Sequence, residues 1–502
     1  MKNVLEYLEE SAERFPDKIA FADLNEEITF ADLLKMAKRV GTGLASFASA
    51  RTPVPVYMGK TVRAVVVFMG AVYAGCFYSM LDRKQPESRL LNILKTLDAR
   101  FVVTDRDGAE DASHLPGQKV LLYEELAETE ADEELLSAIR SRQTDTDPLY
   151  VNFTSGSTGL PKGVAVCHRS VIDFIGCFTE IFGIGESDVL GNQAPFDFDV
   201  SVKDIYSALK TGATVQIIPQ KYFSIPTQLL DFIADREVTT LIWAVSAVTL
   251  VSRLHGFTYR IPEKVKRMIF SGEVMPVRHL NIWREALPEA AFYNVYGPTE
   301  ITCNCTWYAV ERAFDVTEKL PIGKPFPNER VFLLDEEDRL IDEPGKEGEI
   351  CVTGTCLALG YYGNESATKA AFVQNPLNPH FPERMYRTGD LAEYLPDGSL
   401  DYIGRKDFQI KHMGHRIELG EIEQAMHAIP EVGSACCLFP GERITAFYTG
   451  DISKKELASR LRERIPDYMV PNRFIQMDVL PMNKNGKIDR RKLAESAERG
   501  RR

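Results

Sequence analysis

One segment constrains this chain more than any other: residues 154–163 read TSGSTGLPKG and directly follow the apolar run 150–153. Glycines let a backbone approach a ligand closely, while hydroxyls and successive N–H groups donate hydrogen bonds to phosphate oxygens. The lysine near the end of the segment adds a positive charge. A flexible Gly/Ser linker would need neither the flanking strand nor the lysine. The segment therefore predicts a loop that binds a polyphosphate.

The same segment is not the P-loop of the common nucleotide hydrolases. That motif reads GxxxxGK[ST], whereas here Lys162 follows Pro161 and precedes Gly163. No hydroxyl stands beside the lysine to hold a magnesium ion, which excludes the P-loop ATPase interpretation.

The order of apolar runs predicts an α/β fold. Helical stretches alternate with short apolar strands over 1–145 and again over 146–330, which is typical of two doubly wound sheets. From 330 to 404, short strands with Gly, Pro and Asn turns indicate a small β-rich subdomain. We therefore expect a large N-terminal body over 1–404 and a separate small α+β lid over 410–502.

The composition limits the classes of partner that the chain is expected to bind. Acidic residues number 72 and basic residues 59, so the net charge of −13 argues against nucleic acid or an anionic membrane as a partner. The uncharged stretch 64–81 reaches the lower limit of a membrane span, but Gly70 and Gly75 favour a buried helix followed by a buried strand. Nine cysteines without a CxxC frame and an N-terminus unlike a signal peptide predict a cytoplasmic protein with reduced thiols.

Four further segments appear in a fixed order: YGPTE at 296–300, YRTGD at 386–390, GRKDFQIK at 404–411 and NGKIDR at 485–490. Together with 154–163, they resemble the adenylate-forming enzymes over nearly the whole chain. Within that family the sequence is similar to amino-acid adenylation domains and to the stand-alone D-alanine-carrier-protein ligases. The resemblance implies that a carboxylate attacks the α-phosphorus of ATP, pyrophosphate leaves, and a thiol then displaces AMP from the acyl-adenylate.

The resemblance also implies roles for individual residues. Catalytic roles fall to Lys487, between the carboxylate and the α-phosphate, to Glu300 as the Mg²⁺ ligand, and to Thr154. The resemblance implies that residues 405–409 form a hinge, with Asp407 at the hinge position, and that the lid is mobile. ATP would contact Thr154, Ser155, Gly156, Ser157, Thr158, Lys162, Asn294, Tyr296, Gly297, Thr299, Asp390, Arg405 and Lys487. Without their motifs, Lys487 would be an ordinary solvated lysine and Glu300 an ordinary partner of a helix N-terminus.

A third set of residues concerns the substrate. The segment 196–202 (FDFDVSV) resembles the family segment whose aspartate pairs with the α-ammonium of an amino acid, and that aspartate is Asp199. Because a buried carboxylate without a partner is costly, a pocket position for Asp199 predicts a cationic amine beside it. The resemblance carries the remaining pocket positions to Val200, Lys203, Trp243, Ile269, Ser271, Val295, Cys303 and Asn304.

These positions leave three substrate classes open. The whole-chain pattern favours D-alanine or another small amino acid, although Lys203 and Trp243 are larger than a methyl side chain needs. Val200, Trp243 and Ile269 also suit proline, while Lys203 and Asn304 suit a polar or acidic side chain. We expect the thiol acceptor to be a separate phosphopantetheinylated carrier protein. The alternatives are an acyl- or aryl-CoA ligase and a catalytically silent scaffold.

Overall fold

The computed structural model describes residues 1–156, 160–407, 409–482 and 488–499. The strands are β1 (Ile19–Ala22), β2 (Glu27–Thr29), β3 (Pro53–Val56), β4 (Phe77–Met80), β5 (Phe101–Thr104), β6 (Lys119–Leu122), β7 (Pro148–Thr154), β8 (Lys162–Cys167), β9 (Val189–Asn192), β10 (Thr214–Ile217), β11 (Thr240–Ala244), β12 (Arg267–Ser271), β13 (Ala291–Tyr296), β14 (Thr306–Ala309), β15 (Lys324–Pro325), β16 (Glu329–Leu334), β17 (Leu340–Ile341), β18 (Gly348–Gly354), β19 (Gly360–Tyr361), β20 (Phe372–Gln374), β21 (Arg384–Tyr394), β22 (Leu400–Arg405), β23 (Gln409–His412), β24 (His415–Glu418), β25 (Val432–Leu438), β26 (Thr445–Gly450) and β27 (Arg473–Gln476).

The helices are α1 (Leu5–Arg14), α2 (Phe30–Ala45), α3 (Val62–Tyr73), α4 (Glu87–Leu97), α5 (Ala109–Ser113), α6 (Tyr123–Glu128), α7 (Glu133–Arg142), α8 (His168–Ile181), α9 (Val200–Thr211), α10 (Pro226–Asp235), α11 (Val245–Arg253), α12 (Val277–Ala286), α13 (Glu365–Ala371), α14 (Leu419–His427), α15 (Lys454–Arg462) and α16 (Arg490–Arg499).

The chain divides into two compact units. Unit 1 comprises residues 1–83, 97–152 and 163–404, and unit 2 comprises 84–96, 153–162 and 405–502. Two short segments from the N-terminal part of the chain, 84–96 and 153–162, thus group with the C-terminal residues. A sequence boundary at 404 alone does not anticipate this grouping.

Unit 1 contains two large sheets with parallel cores, which confirms the predicted α/β class. The nine-stranded sheet has the order β15-β14-β13-β12-β11-β9-β10-β1-β2, and its strands β1 and β9–β13 pair in parallel. The seven-stranded sheet has the order β19-β8-β7-β4-β3-β5-β6. A third sheet, built from β16–β18 and β20–β22, forms the predicted β-rich part.

The uncharged stretch 64–81 folds as a buried helix followed by a buried strand. Helix α3 and strand β4 lie almost wholly in the core, and Gly75 turns the chain between them with a φ of +73°. A positive φ costs glycine little because it has no Cβ. Among the described residues, no helix is long and apolar enough to cross a membrane.

Unit 2 has its own small core. The hairpin β23–β24 precedes α14, and the three-stranded sheet β25-β26-β27 packs with α14 and α15 around Ile417, Ile422, Met426, Ala446 and Leu457. This arrangement matches the α+β composition expected for the C-terminal part of the chain.

Candidate active site

The C-terminal end of β13 positions the residues predicted to contact a nucleoside. The Tyr296 hydroxyl donates to Asp390 Oδ2 at 2.5 Å, and both side chains are buried. Burial and the neighbouring Asp390 charge raise the pKa of Tyr296 well above its usual range, so the phenol stays protonated and can donate. The backbone N–H of Asp390 donates to the Thr388 hydroxyl at 3.0 Å. A fixed carboxylate of this kind suits recognition of a vicinal diol, which offers two O–H donors.

Two neighbours of Tyr296 were also predicted to contact nucleotide. Asn294 Nδ2 donates to the Pro321 carbonyl at 2.8 Å, which fixes the orientation of the amide. At Gly297, an added Cβ would lie 2.5 Å from the Asn304 Cα and 2.7 Å from the Cys303 carbonyl oxygen. Glycine is required there because the chain at 303–304 packs directly against it.

Glu300 is the predicted metal ligand, and it lies in a short 3₁₀ turn (Thr299–Ile301) with no exposed surface. Its Oε1 accepts a hydrogen bond from the Tyr361 hydroxyl at 2.7 Å, a contact that no sequence motif indicated. The negative charge of Glu300 also acts on the carboxyl group of Asp199, which shows that two acidic groups share this region.

A carboxylate in this setting fits Mg²⁺, which prefers hard oxygen ligands and is commonly held by one or two carboxylates together with phosphate oxygens. Among the described residues, no group of three or more His, Cys, Asp or Glu side chains could hold a metal ion by itself. The Glu300 carboxylate therefore fits a Mg²⁺ ion that phosphate oxygens also hold.

Asp199 stands at the N-terminus of α9 and is half-buried. Burial raises the pKa of its carboxyl group, and a hydrogen bond from the Thr299 side chain and the charge of Lys203 act in the opposite direction. The Cys303 thiol donates to the Asp199 carbonyl oxygen at 2.9 Å, which ties α9 to the loop after β13. A carboxylate whose ionised form is disfavoured by burial in this way is suited to a cationic ligand.

Lys203 follows one helical turn later and is 1 % exposed. Its Nζ donates to Asn304 Oδ1 at 2.9 Å and to Ser271 Oγ at 3.4 Å. Three of the residues predicted to line the substrate pocket therefore meet at one point, although they come from α9, the end of β12 and the loop after β13.

The remaining wall residues come from two neighbouring strands of the nine-stranded sheet, from the start of α9 and from the loop after β13. Ile269, Val295 and Cys303 belong to a single buried cluster, and half-buried Val200 opens α9. Strand pairing sets Ala244 opposite Ser271 and Ile242 opposite Ile269, so these two β11 residues lie beside them.

Trp243 does not join this wall. Successive residues of a strand point to opposite faces, and Trp243 lies on the other face, in a separate cluster with Trp283 and Phe223. Its Nε1 donates to the Gly191 carbonyl at 2.8 Å. The pocket assignment of Trp243 is therefore replaced by Ala244, which the two-residue alternation along β11 could have indicated.

Of the predicted polyphosphate loop, residues 154–156 and 160–163 belong to the described part of the chain. Thr154 ends β7, and its Oγ1 is buried without a hydrogen-bond partner among the described residues. Ser155 Oγ donates to the Arg416 carbonyl at 2.7 Å and accepts from the Glu418 N–H at 3.2 Å. The Gly156 N–H donates to Glu421 Oε2 at 3.2 Å. This amide already binds an anionic oxygen, which is the chemistry that a phosphate-binding loop requires.

Three of the predicted loop and catalytic residues, Ser157, Thr158 and Lys487, lie outside the described residues. Lys162 opens β8 and is half-buried.

Arg405 makes a bidentate ion pair with Asp407, with Nε to Oδ1 at 2.7 Å and Nη2 to Oδ2 at 2.9 Å. Although burial alone would raise the pKa of Asp407, this pair holds it below the usual range. Asp407, the predicted hinge residue, and Arg405, which is predicted to contact ATP, are therefore bonded to each other.

Comparisons with known proteins identify the family of the chain. The family described as AMP-binding enzyme matches residues 8–362, and its C-terminal domain matches residues 421–487. Tyrocidine synthase 1 of Brevibacillus parabrevis is 31 % identical over 509 residues, covering 98 % of this chain and 45 % of the synthase. Bacitracin synthase 1 of Bacillus licheniformis is 32 % identical over 504 residues, covering 98 % of this chain and 9 % of that synthase. The chain thus spans less than half the length of these curated relatives.

Comparison with solved structures shows the fold of adenylation domains. The Vibrio cholerae adenylation domain AlmE in complex with glycyl-adenosine-5'-phosphate superposes with a TM-score of 0.85 at 20 % identity, covering 99 % of this chain and 97 % of AlmE. PA1221, a nonribosomal peptide synthetase protein with adenylation and carrier domains, gives a TM-score of 0.83 at 25 % identity, covering 99 % of this chain and 97 % of PA1221.

Proposed function

The chain belongs to the AMP-binding enzyme family, and we propose that it activates an amino acid with ATP and passes the aminoacyl group to the thiol of a separate carrier protein. The amino-acid carboxylate attacks the α-phosphorus, and pyrophosphate leaves. The carrier thiol then attacks the carbonyl carbon of the aminoacyl-adenylate, which forms the thioester and releases AMP.

The observation that carries this proposal is Asp199 at the N-terminus of α9. Its half-buried carboxylate lies beside the side chains of the wall and has a neighbouring acidic group in Glu300. Lys203 acts on this carboxylate only through space, so an α-ammonium group would supply a positive charge in direct contact with it, and an acyl or aryl acid would not. This is the feature that favours amino acids over the acyl- or aryl-CoA ligase alternative.

The other residues have supporting roles. Asp390, fixed by the Tyr296 hydroxyl, would hold the ribose, and the Tyr296 ring would stack on the adenine. The amide groups of the glycine-serine loop would hold the phosphates. Glu300 would hold Mg²⁺, which offsets the charge of the polyphosphate when bound. Lys487 as the catalytic cation, Asp407 as the hinge and residues 410–502 as the mobile lid stay predictions. For the side chain, the candidates are a small amino acid such as D-alanine, proline, and a polar or acidic amino acid.

Amino-acid-dependent exchange of pyrophosphate into ATP tests the proposal. We expect exchange with at least one member of a panel of L- and D-amino acids, and we expect Lys487→Ala to lower the rate about 100-fold or more, as is typical for loss of one preorganised donor. Lys492→Ala, which removes an exposed lysine of α16, is the matched control and should leave the rate unchanged. A panel without any exchange would rule the proposal out.

Two further measurements separate the rival functions. In an acyl- or aryl-CoA ligase, Asp199→Ala would leave CoA thioester formation intact, whereas we expect it to remove amino-acid-dependent exchange. A silent scaffold would show no thermal stabilisation by ATP and Mg²⁺, because only a ligand that binds the folded state raises its melting temperature.

A further inference from the structure

Lys203 is a buried basic side chain without an acidic hydrogen-bond partner among the described residues. Burial lowers the pKa of its ammonium group, and the charges of Asp199 and Asp204 act in the opposite direction. Its Nζ has two hydrogen-bond partners, Asn304 Oδ1 and Ser271 Oγ, and both are neutral. Among the described residues, no carboxylate oxygen lies within 4.0 Å of this nitrogen. An ammonium group has three donors, so one donor has no partner in the described part of the protein.

The two nearest acidic residues are committed elsewhere. Asp204 is fully buried and accepts a hydrogen bond from Asn192 Nδ2 at 2.8 Å. Asp199 accepts from the Thr299 side chain and is the residue proposed to bind the α-ammonium group. Both act on Lys203 through space without forming an ion pair with it.

The loop that contacts Lys203 has a backbone conformation that neighbouring contacts must hold in place. Thr302 and Cys303, which immediately precede Asn304, have φ angles of +54° and +76°. Such a left-handed conformation is unfavourable for residues other than glycine, and it persists only where neighbouring contacts enforce it. The Thr302 hydroxyl donates to the Cys356 carbonyl at 2.7 Å, and Gly297 packs against Asn304. The protein therefore maintains a strained turn that points the Asn304 oxygen at the ammonium group.

The spacing of Asp199 and Lys203 then gives the pocket two opposite charges on one side of α9. Residues four apart on a helix are neighbours, with Cβ atoms about 6 Å apart. An amino acid whose α-ammonium group meets Asp199 would extend its side chain along α9 towards Lys203. A side-chain carboxylate at that point would complete the hydrogen bonds of the ammonium group and supply the missing counter-charge, and a methyl or pyrrolidine side chain would leave Lys203 uncompensated.

We propose that Lys203, oriented by Asn304, selects an amino acid with a carboxylate side chain, of the aspartate or glutamate class, as the substrate of this adenylation site. This inference rests on the proposed amino-acid adenylation, because it names the side chain that the same pocket accepts. Lys203 acts as a binding residue, and Asn304 is its positioning residue.

The test compares each acid with its uncharged amide in the exchange assay: aspartate with asparagine, and glutamate with glutamine, each in L and D form. In the unmodified protein, we expect kcat/KM for one acid to exceed that of its amide by about 100-fold or more, because a site built around a charged group rejects the isostere that leaves it unpaired. Whether aspartate or glutamate shows the larger ratio fixes the side-chain length.

Two variants test whether Lys203 causes that ratio. Lys203→Met keeps the length of the side chain and removes its charge, and it should lower the acid-to-amide ratio about 100-fold. Asn304→Asp places a carboxylate against the lysine, and it should lower the same ratio without removing a buried cation, which keeps the test decisive if Lys203→Met fails to fold. Lys210→Met is the control, since Lys210 lies on the same helix but donates to Gly176 O and Thr179 Oγ1 on α8, and the ratio should not change.

The outcomes are distinguishable. No exchange with any amino acid would overturn the adenylation proposal itself. Exchange with alanine, glycine or proline that exceeds exchange with both acids would leave adenylation standing and overturn the selection of an acidic side chain. An equal loss for acid and amide in Lys203→Met, together with an unchanged ratio in Asn304→Asp, would assign Lys203 a purely structural role.

Discussion

Two buried cations of this molecule have opposite surroundings. In unit 2, the Arg89 and Glu421 side chains are each 5 % exposed, and Arg89 Nη1 lies 2.8 Å from Glu421 Oε1. In unit 1, Lys203 is at least as buried, and its hydrogen-bond partners in the described part of the chain are an amide oxygen and a hydroxyl. One cation is neutralised within the chain, and the other has no counter-ion within ion-pair distance among the described residues.

The difference separates a charge that the fold pairs internally from one that we propose pairs with substrate. Because burying an ion is expensive, a folded protein normally pairs it with an opposite charge. The ion pair between Arg89 and Glu421 does this across 332 positions of the sequence. Burial of Lys203 without an ion partner among the described residues carries a desolvation cost that only hydrogen bonds to neutral atoms offset, and the proposed substrate carboxylate would supply the counter-charge. The proposed substrate pocket is therefore the region where stability and function are expected to conflict.

The largest effect should follow from breaking the internal pair. Arg89→Met leaves the Glu421 carboxylate buried with the Gly156 N–H as its remaining partner among the described residues, and loss of one member of a buried ion pair typically costs about 3–5 kcal/mol. Urea unfolding followed by circular dichroism measures this loss. All three tryptophans lie in unit 1, so tryptophan fluorescence should report a smaller shift than circular dichroism does.

Lys95→Met provides the control for Arg89, because Lys95 is an exposed cation on the same helix. It should change the free energy of unfolding by less than about 0.5 kcal/mol. If Arg89→Met and Lys95→Met have equal free energies of unfolding, the Arg89–Glu421 pair makes no net contribution to stability. Arg89 would then not differ from Lys203 in its role.

The second prediction concerns Asp204, the acidic residue next to Lys203. Burial raises the pKa of Asp204 from its ordinary 3.8 to about 7, so the folded state binds this proton more tightly than the unfolded state does. The stability that this group contributes is complete below pH 3.8 and is lost as the pH rises through 7. By this linkage, the loss amounts to up to about 4 kcal/mol.

Asp204→Asn removes the titration and keeps an oxygen that can accept the hydrogen bond from Asn192. We expect the variant to gain stability over the unmodified protein as the pH is raised from about 5 to about 8, measured as the free energy of unfolding at both pH values. Asp235→Asn, at an exposed position, should leave the pH dependence unchanged. We compare the free energies of unfolding of Asp204→Asn and the unmodified protein at the two pH values. If their difference is the same at both, Asp204 is ionised throughout and acts as a counter-ion for Lys203.

Sequence reasoning predicted the local features of both regions and missed their long-range contacts. The buried helix and strand within 64–81 follow from a pattern that a few residues carry. The family resemblance named Asp199 and Lys203 together, but the helical turn between them appears only in the structure. The pair Arg89–Glu421 and the bond from Tyr296 to Asp390 join distant positions, and no local pattern encodes them.

The misplacement of Trp243 has a different cause. Motif matching located the strand correctly, but a shift of one residue moves a side chain to the opposite face of a sheet. The large core of Trp283, Phe223 and their neighbours decides which face an indole occupies, and that core is assembled only in the folded chain. Trp243 thus shows the limit of transferring pocket positions by sequence alone.

The third prediction disturbs the strained turn that holds Asn304 against Lys203. Gly297→Ala places a Cβ 2.5 Å from the Asn304 Cα, and relief of such a contact requires the backbone to move, at a cost of about 2 kcal/mol. Gly176→Ala is the control, because Gly176 lies within α8 and an added Cβ there meets nothing within 4 Å among the described residues. That variant should gain about 0.5–1 kcal/mol, since alanine favours helix more than glycine does.

For Gly297→Ala, the free energy of unfolding and the acid-to-amide ratio should fall together, because both depend on the position of Asn304. A loss of stability with an unchanged ratio would separate the turn from substrate selection, and it would leave Lys203 without a positioning residue.

The smallest effect on stability should follow from the substitution Lys203→Met, in contrast to Arg89→Met. Lys203→Met removes a buried cation that has no ion partner in the described part of the chain, so the favourable removal of its desolvation cost opposes the loss of two hydrogen bonds to neutral atoms. These contributions nearly cancel, and we expect the free energy of unfolding to change by less than about 1 kcal/mol in either direction. Tryptophan fluorescence during urea unfolding is the appropriate measurement, because Trp243, Trp283 and Trp307 all lie in unit 1. A loss of about 3 kcal/mol or more would place Lys203 beside Arg89 as a structural charge, since only a cation that the fold depends on would be so costly to remove.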